Sequence, residues 1–508
     1  MIAFKNRMLP RSLIWLVLCA AECTAQTVSL QDADKELFAA RYKKAADLYA
    51  KVLADHPADG AAYYGLIRAL IKDHRSAEAY AKAAEAVERF PKNAAVQSAA
   101  GLAAFRKGEI GKAQQYFLAA SQIDADDVGA LCGMASINQT VSRYKTARNL
   151  LLQAYRKSPG DPRLMIEHAQ TWNGAEHIAA LREALAIYDE DSEEARGLRA
   201  HISDDIAAGD RKLRRLVSAY EKSTIKLAVI QNGMREPRGV GIRVQFNHRD
   251  HALLMLDTGA SGIAVSSKFA EHAGLEKLGD ESIEAKGIGD KAGDPEYRHL
   301  AAEIRMGDVA FADYPISAFR SARTSDFDGL IGADVFRQFI VSIDFPDKSI
   351  TLEPRASGLA ESNGPIDAAT AVPFGFQRVF RFGNHLAIPV SMNEGKSNLF
   401  LIDSGSSSNL VDETIVRDAS KVYREDHIRV RGIQGEVKKT SMADNVTLAF
   451  AGFRQSNANV IAISLESLSD GMGITFGGIL GMPVLRQMVL TLDYQEGIAR
   501  FEYKRALR

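Results

Sequence analysis

From about residue 28 to 215, apolar residues recur at three- and four-residue spacing in Ala-rich, Gly-poor text, which predicts helices. After about residue 220 the pattern changes. Glycine becomes frequent, apolar runs shorten and β-branched residues rise, which predicts an all-β region with many turns. Ahead of both, Lys5, Arg7 and Arg11 precede a short apolar run from Leu13 to Ala21, and Cys23-Thr24-Ala25 offers small residues before Gln26. Basic, apolar and small-residue segments in this order predict a secretory signal over 1–25, with an apolar run too short to span a bilayer of roughly 30 Å. The expectation is export to the periplasm or the extracellular space.

The helical region repeats. Pro57 and Pro91 stand one period apart and Pro91 and Pro159 two, with Ala125 in the missing slot. Ala45, Ala79, Ala113 and Ala147 keep the same step, as small residues where two helices would cross closely. Tyr49, Phe117 and Leu151 supply a bulky position, and Gly101 and Ala135 a second packing position. A period of about 34 residues with these positions in this order resembles the tetratricopeptide repeat. About four units are present, with a weaker fifth from Ala179 to Tyr188 and a capping helix from Ser192 to Ala208. Stacked helix pairs bury a stripe that none can hide alone, and the resemblance implies a concave face that binds a peptide or partner domain. The other reading of the array is a spacer that presents the next domain. Cys132, on the fourth unit, reads as a packing thiol.

The β region is duplicated. Leu253-Leu254-Met255-Leu256 leads into Asp257-Thr258-Gly259-Ala260-Ser261, and Leu399-Phe400-Leu401-Ile402 leads into Asp403-Ser404-Gly405-Ser406-Ser407. Downstream of each come Gly287-Ile288-Gly289 and Gly432-Ile433-Gln434-Gly435. Later still, Gly329-Leu330-Ile331-Gly332 matches Gly478-Ile479-Leu480-Gly481. Matched landmarks in one order, at a near-constant offset between the copies, predict two homologous lobes at 220–355 and 370–508. A polar, Gly/Ser-containing linker from Ala356 to Thr370 lies between them.

An apolar strand, Asp-(Thr/Ser)-Gly, a glycine-containing flap and a closing apolar-apolar-Gly resemble the aspartic proteases of the retropepsin and pepsin type, over roughly residues 225 to 505. The resemblance implies a bilobal all-β protease of two retropepsin-like barrels following the all-α solenoid, with Asp257 and Asp403 as a catalytic pair. Two carboxyl groups about 3 Å apart cannot both ionise, so one takes a proton from water while the other gives one to the scissile carbonyl. Gly259 and Gly405 would let the backbone approach the carboxylates. Thr258 and Ser404 would lock the two loops across the lobe interface. Gly287, Ile288 and Gly289, with Gly432, Ile433 and Gln434, would form flaps over an extended peptide; the alternative is one working flap and one surface hairpin. Ser406 faces Ala260 in the other copy, and a hydroxyl there can donate to an ionised carboxylate. Its loss from one lobe predicts a less acidic pair and a mildly acidic pH optimum.

Composition narrows the alternatives. With 508 residues, 46% hydrophobic and 25% charged, the chain is of globular type. The 63 basic and 64 acidic residues leave a net charge of -1, which gives no field for nucleic acid or anionic lipid. Three cysteines supply no disulfide framework. His248 and His251 read as part of a polar hairpin turn, so no metal and no organic cofactor are expected. Asn138 and Asn445 begin glycosylation sequons. No run after the signal reaches membrane-spanning length, and two lobes in one chain predict a monomeric protease unit acting on peptides or proteins. Two rivals are a catalytically silent peptide-binding or scaffold protein and an enzyme that processes only itself.

Overall fold

In the computed structural model, residues 28–232, 236–284, 287–289, 295–319, 326–355, 372–425, 427–432 and 435–505 are described. The expected signal segment, the interlobe linker and Ile433-Gln434 lie outside them. Among the described residues, eleven helices come first: α1 (Leu30–Phe38), α2 (Tyr42–Asp55), α3 (Gly60–Lys72), α4 (Ser76–Arg89), α5 (Ala94–Arg106) and α6 (Ile110–Ile123), then α7 (Val128–Thr140), α8 (Tyr144–Lys157), α9 (Pro162–Ala169), α10 (Gly174–Leu185) and α11 (Glu193–Ala208). The caps keep time with the repeat. Asp59, Asn93, Asp127 and Asp161, each one period after the last, accept a hydrogen bond from a backbone N–H of the first turn that follows. Ala45, Ala79, Ala113 and Ala147 are all buried, at the crossings of successive helices.

The array closes on itself. α1, α3, α5 and α7 neighbour one another in one layer. Across its free side, Arg68 of α3 reaches Asp161 at 3.1 Å, Tyr42 donates to Glu194, and the amide of Asp189 donates to the Ala39 carbonyl at 2.9 Å. Burial opposes the charge on Asp161, yet Arg163 and Arg68 beside it hold its carboxyl well below the usual range. The inner face, the expected seat of a bound peptide, is thus spanned by the chain's own side chains.

Two β lobes follow. In the first, the strand Asp250–Leu256 runs parallel to Gly329–Ile331, which pairs antiparallel with Ile263–Ser266. In the second, Ser397–Ile402 runs parallel to Gly478–Leu480, which pairs antiparallel with Leu410–Asp412. A six-stranded sheet joins the lobes. Phe339–Asp344 of one pairs with Met488–Asp493 of the other, and the hydroxyls of Ser342 and Thr491 meet at 3.2 Å. The strand before Asp257 is entered through a hairpin whose central residues, Asn247 and His248, both have positive φ. The amide of Arg249 closes that turn on Phe246 at 3.0 Å. Asn138 is buried on α7, its amide bonded to the Met134 carbonyl at 2.7 Å, so the first sequon is closed to modification in the folded chain.

The array is fused to the second lobe. Ala104, Ile110, Ala113, Phe117 and Ile137 share one hydrophobic cluster with Leu399, Leu401, Leu410, Ile463 and Ile479. Buried Arg106 donates to the Ser469 carbonyl at 3.1 Å and pairs with Asp470, while its own carbonyl accepts from the Thr475 amide at 2.8 Å. The first lobe meets the array through α11, where Ala208 packs on Leu278 and Leu300 and the Ser203 hydroxyl accepts from the Asp280 amide. Among the described residues, no helix is long and apolar enough to cross a membrane.

Candidate active site

Each lobe delivers one aspartate from the end of a buried strand. Leu254 and Leu256 before Asp257, and Phe400 and Ile402 before Asp403, are fully buried. The amides of the two aspartates donate to Ile331 and Leu480 on the adjoining parallel strands, at 2.9 and 3.0 Å. The apolar runs thereby fix the root of each carboxyl side chain on a rigid sheet.

The next residue in each loop ties the lobes together. The Thr258 hydroxyl donates to the Ile402 carbonyl at 2.8 Å and accepts from the Ser404 amide at 2.9 Å. The Ser404 hydroxyl donates to the Leu256 carbonyl at 2.8 Å and accepts from the Thr258 amide at 3.0 Å. All four bonds are buried, so breaking one leaves a polar group without water to replace its partner.

The glycines permit the close approach. A Cβ on Gly405 would stand 2.4 Å from an Asp257 carboxylate oxygen, and one on Gly259 would stand 2.7 Å from the Asp403 carboxyl carbon. Their amides donate to the carboxylate of their own loop, Gly259 to Asp257 and Gly405 to Asp403, both at 2.8 Å. The two carboxyls thus face each other across the lobe interface at the floor of one cleft, each within reach of the other's loop glycine. Burial raises both above the ordinary carboxylate value, Asp257 strongly so, with the Asp403 charge adding to the effect. Such a pair retains a shared proton where isolated carboxylates would have lost theirs. Gly405→Ala should therefore drive the carboxyls apart and cut any rate that depends on them about 100-fold or more, measured as kcat on a peptide substrate.

Two hairpins reach over this pair. The first, from Glu276–Glu284 and Pro295–Met306, carries Gly287, Ile288 and Gly289 at its tip. The second pairs Arg431–Gly432 with Gly435–Glu436 and continues through a bond from Val437 to Val430 at 2.9 Å. The tips touch: a Cβ on Gly432 would lie 2.2 Å from the Ile288 carbonyl oxygen. Beneath them runs a cleft of about 1400 Å³, lined by both aspartates, both hairpin tips and, from the array, Glu193, Arg196 and Gly197.

Residues 242–335 and 388–484 match the family model described as aspartyl protease. Each lobe therefore holds a segment similar to the aspartyl protease family. No curated protein matches the chain. Among solved structures that match is the aspartic proteinase from Irpex lacteus, at 11% identity and a TM-score of 0.35, covering 56% of this chain and 98% of that one.

The second lobe departs from the sequence reading at Ser406. Its hydroxyl donates to the Ser408 carbonyl at 2.8 Å, and only its backbone amide reaches Asp403, at 3.1 Å. The Ser406/Ala260 difference is thus not a missing donor to the carboxylate, and the mildly acidic optimum loses that premise. Local geometry explains this: the hydroxyl satisfies a carbonyl two residues on, as serine does in turns. Two contributors were missed. His385 lines the cleft, close enough to bias Asp403, while burial lowers its own pKa. Aligning the two copies gives no cue to it, since Gly239 holds the equivalent place before Asp257. The start of α11 carried no chemical motif. His248 and His251 part company, His248 facing Glu303 at 3.5 Å and His251 facing Gln245 at 3.5 Å.

Proposed function

We propose that the chain is an aspartic endopeptidase and that Asp257 and Asp403 are its catalytic pair. The supporting observation is the close pair of buried carboxyls, one from each homologous loop and each packed against the other's loop glycine, in a cleft of about 1400 Å³. The ionised member takes a proton from water as the water oxygen bonds to the scissile carbonyl carbon, and the protonated member gives its proton to the carbonyl oxygen. Collapse of the tetrahedral species breaks the C–N bond, with a proton delivered to the leaving nitrogen. No covalent enzyme intermediate and no metal are needed for this route. Thr258 and Ser404 hold the loops in register, while the hairpin tip at Gly287 to Gly289 acts as a flap that excludes water, and the hairpin at Gly432 is either a second flap or a surface hairpin.

The regular step of helices and caps supports a tetratricopeptide-type array. Because its inner face is bridged internally, its partner in this reading is the protease itself, with α11 contributing to one wall of the cleft. Segment 1–25 directs export, and a single chain supplies both halves of the catalytic unit.

The test is cleavage of a mixed peptide library by wild type and by Asp403→Asn, with pepstatin as a control and mass spectrometry as the readout. Wild-type cleavage that the substitution abolishes and the inhibitor blocks supports the reading. Peptide binding without cleavage points to the silent scaffold, and fragments of the chain alone point to self-processing.

The acid limb of the pH–rate profile supplies a further check. The positive form of His385 lowers the Asp403 pKa, so His385→Ala should move that limb to higher pH. Ser406→Ala should leave the limb in place, because its hydroxyl is engaged elsewhere.

A further inference from the structure

We infer that His177, His201 and Asp205 form a binding site for one divalent transition-metal ion of zinc type, which staples α10 to α11. His201 and Asp205 stand one turn apart on the same face of α11. His177, on the neighbouring α10, meets them from the other side. The Nε2 atoms of His177 and His201 lie 3.2 and 3.4 Å from the same Asp205 oxygen, and the three donor atoms all fall within 4.8 Å of one another.

These separations suit a shared cation. Zinc bonds nitrogen at about 2.0–2.1 Å and carboxylate oxygen at about 2.0–2.2 Å, so adjacent ligands of a tetrahedral site stand about 3.3–3.5 Å apart. Both nitrogen–oxygen edges lie close to that length, long for charge-assisted hydrogen bonds, which close to about 2.7–2.9 Å.

The second argument is the tautomer. His177 Nδ1 lies 2.8 Å from the Ala169 carbonyl, an acceptor only, so Nδ1 carries the ring proton. Nε2 is then the ring atom turned to the Asp205 carboxylate, the place where a proton or a metal ion would sit between them. A backbone carbonyl holding the far nitrogen is also the arrangement that orients ligating histidines in metal sites. The set His-His-Asp favours zinc over calcium or magnesium, which prefer all-oxygen surroundings.

The site is built for structure. His201 is about half exposed, which leaves room for water to complete the coordination. α11 also carries Ser203 and Asp204 against the first lobe, and its opening turn lines the cleft. A metal at this point fixes the strut between array and first lobe without entering the catalytic chemistry.

The experiment uses the full chain, stripped with chelator and titrated with zinc chloride against a chromophoric competitor, alongside thermal unfolding with and without the metal. Wild type should bind one tight equivalent and unfold at a higher temperature when loaded. His201→Ala and Asp205→Asn should each weaken that equivalent at least tenfold and remove the thermal gain. Both side chains are partly exposed, so matching circular dichroism of the stripped proteins will show that the variants fold. Wild type binding zinc no more tightly than the variants, or all three gaining equally in thermal midpoint, overturns the assignment. Because neither readout requires peptide cleavage, loss of the protease reading would leave this result standing, and the reverse.

Discussion

Asp257→Asn is expected to lower kcat/KM for peptide cleavage by about a thousandfold or more while leaving the fold intact. An amide cannot take a proton from water or share one with Asp403, yet it fills the same volume and keeps a hydrogen-bonding edge toward its partner. The same substitution should change stability with a defined sign. Both carboxyls are raised above the ordinary value of 3.8, so the folded chain retains protons that the unfolded chain releases. The stability this pair contributes is therefore complete below about pH 3.8 and is lost as pH rises through the folded values. Asparagine does not titrate. The variant should thus gain on wild type as pH rises from about 4 to 7, in urea unfolding followed across that range. Retained activity overturns the catalytic assignment, and a stability difference that is flat with pH overturns the raised pair.

Arg106→Ala is expected to destabilise the protein by about 3–5 kcal/mol, the usual cost of removing one partner of a buried ion pair. The guanidinium is almost fully enclosed where α5 meets the second lobe, and its loss strands the Asp470 carboxylate and the Ser469 carbonyl. His74 also contacts Asp470, but from an exposed position that screens its contribution. Denaturant midpoints of Arg106→Ala and of Arg106→Ala with Asp470→Asn separate the two effects, since neutralising the stranded acid should recover part of the loss. A cost below about 1 kcal/mol would show that the junction rests on apolar contacts alone.

What could be read in the chain follows from how local each cause is. The two Asp-x-Gly turns stand out because a carboxyl can approach another backbone only where a side chain is missing, and because apolar strands must anchor them. Helix spacing is legible through Ala45, Ala79, Ala113 and Ala147, and the capping residues from Asp59 to Asp161 repeat the same beat. His385 escapes because an isolated histidine in a strand carries no spacing to recognise. The docking of array and second lobe is hidden for another reason: Arg106 and Asp470 are far apart in the chain, and nothing local links them. A signal does exist in α5, where buried residues run almost unbroken from Val96 to Arg106. A helix covered on every side needs a neighbour beyond its own repeat.

The asymmetry of these attachments sets how the jaws can work. One jaw shares an apolar cluster with the solenoid, whereas the other meets the solenoid through one helix and runs its core into its sister's across the joining sheet. Breathing of the mouth to admit a chain should therefore swing the forward jaw against a stationary frame rather than spread both equally. Amide hydrogen exchange should find the pivot around residues 209–222, with the rear jaw as quiet as the solenoid it grew into.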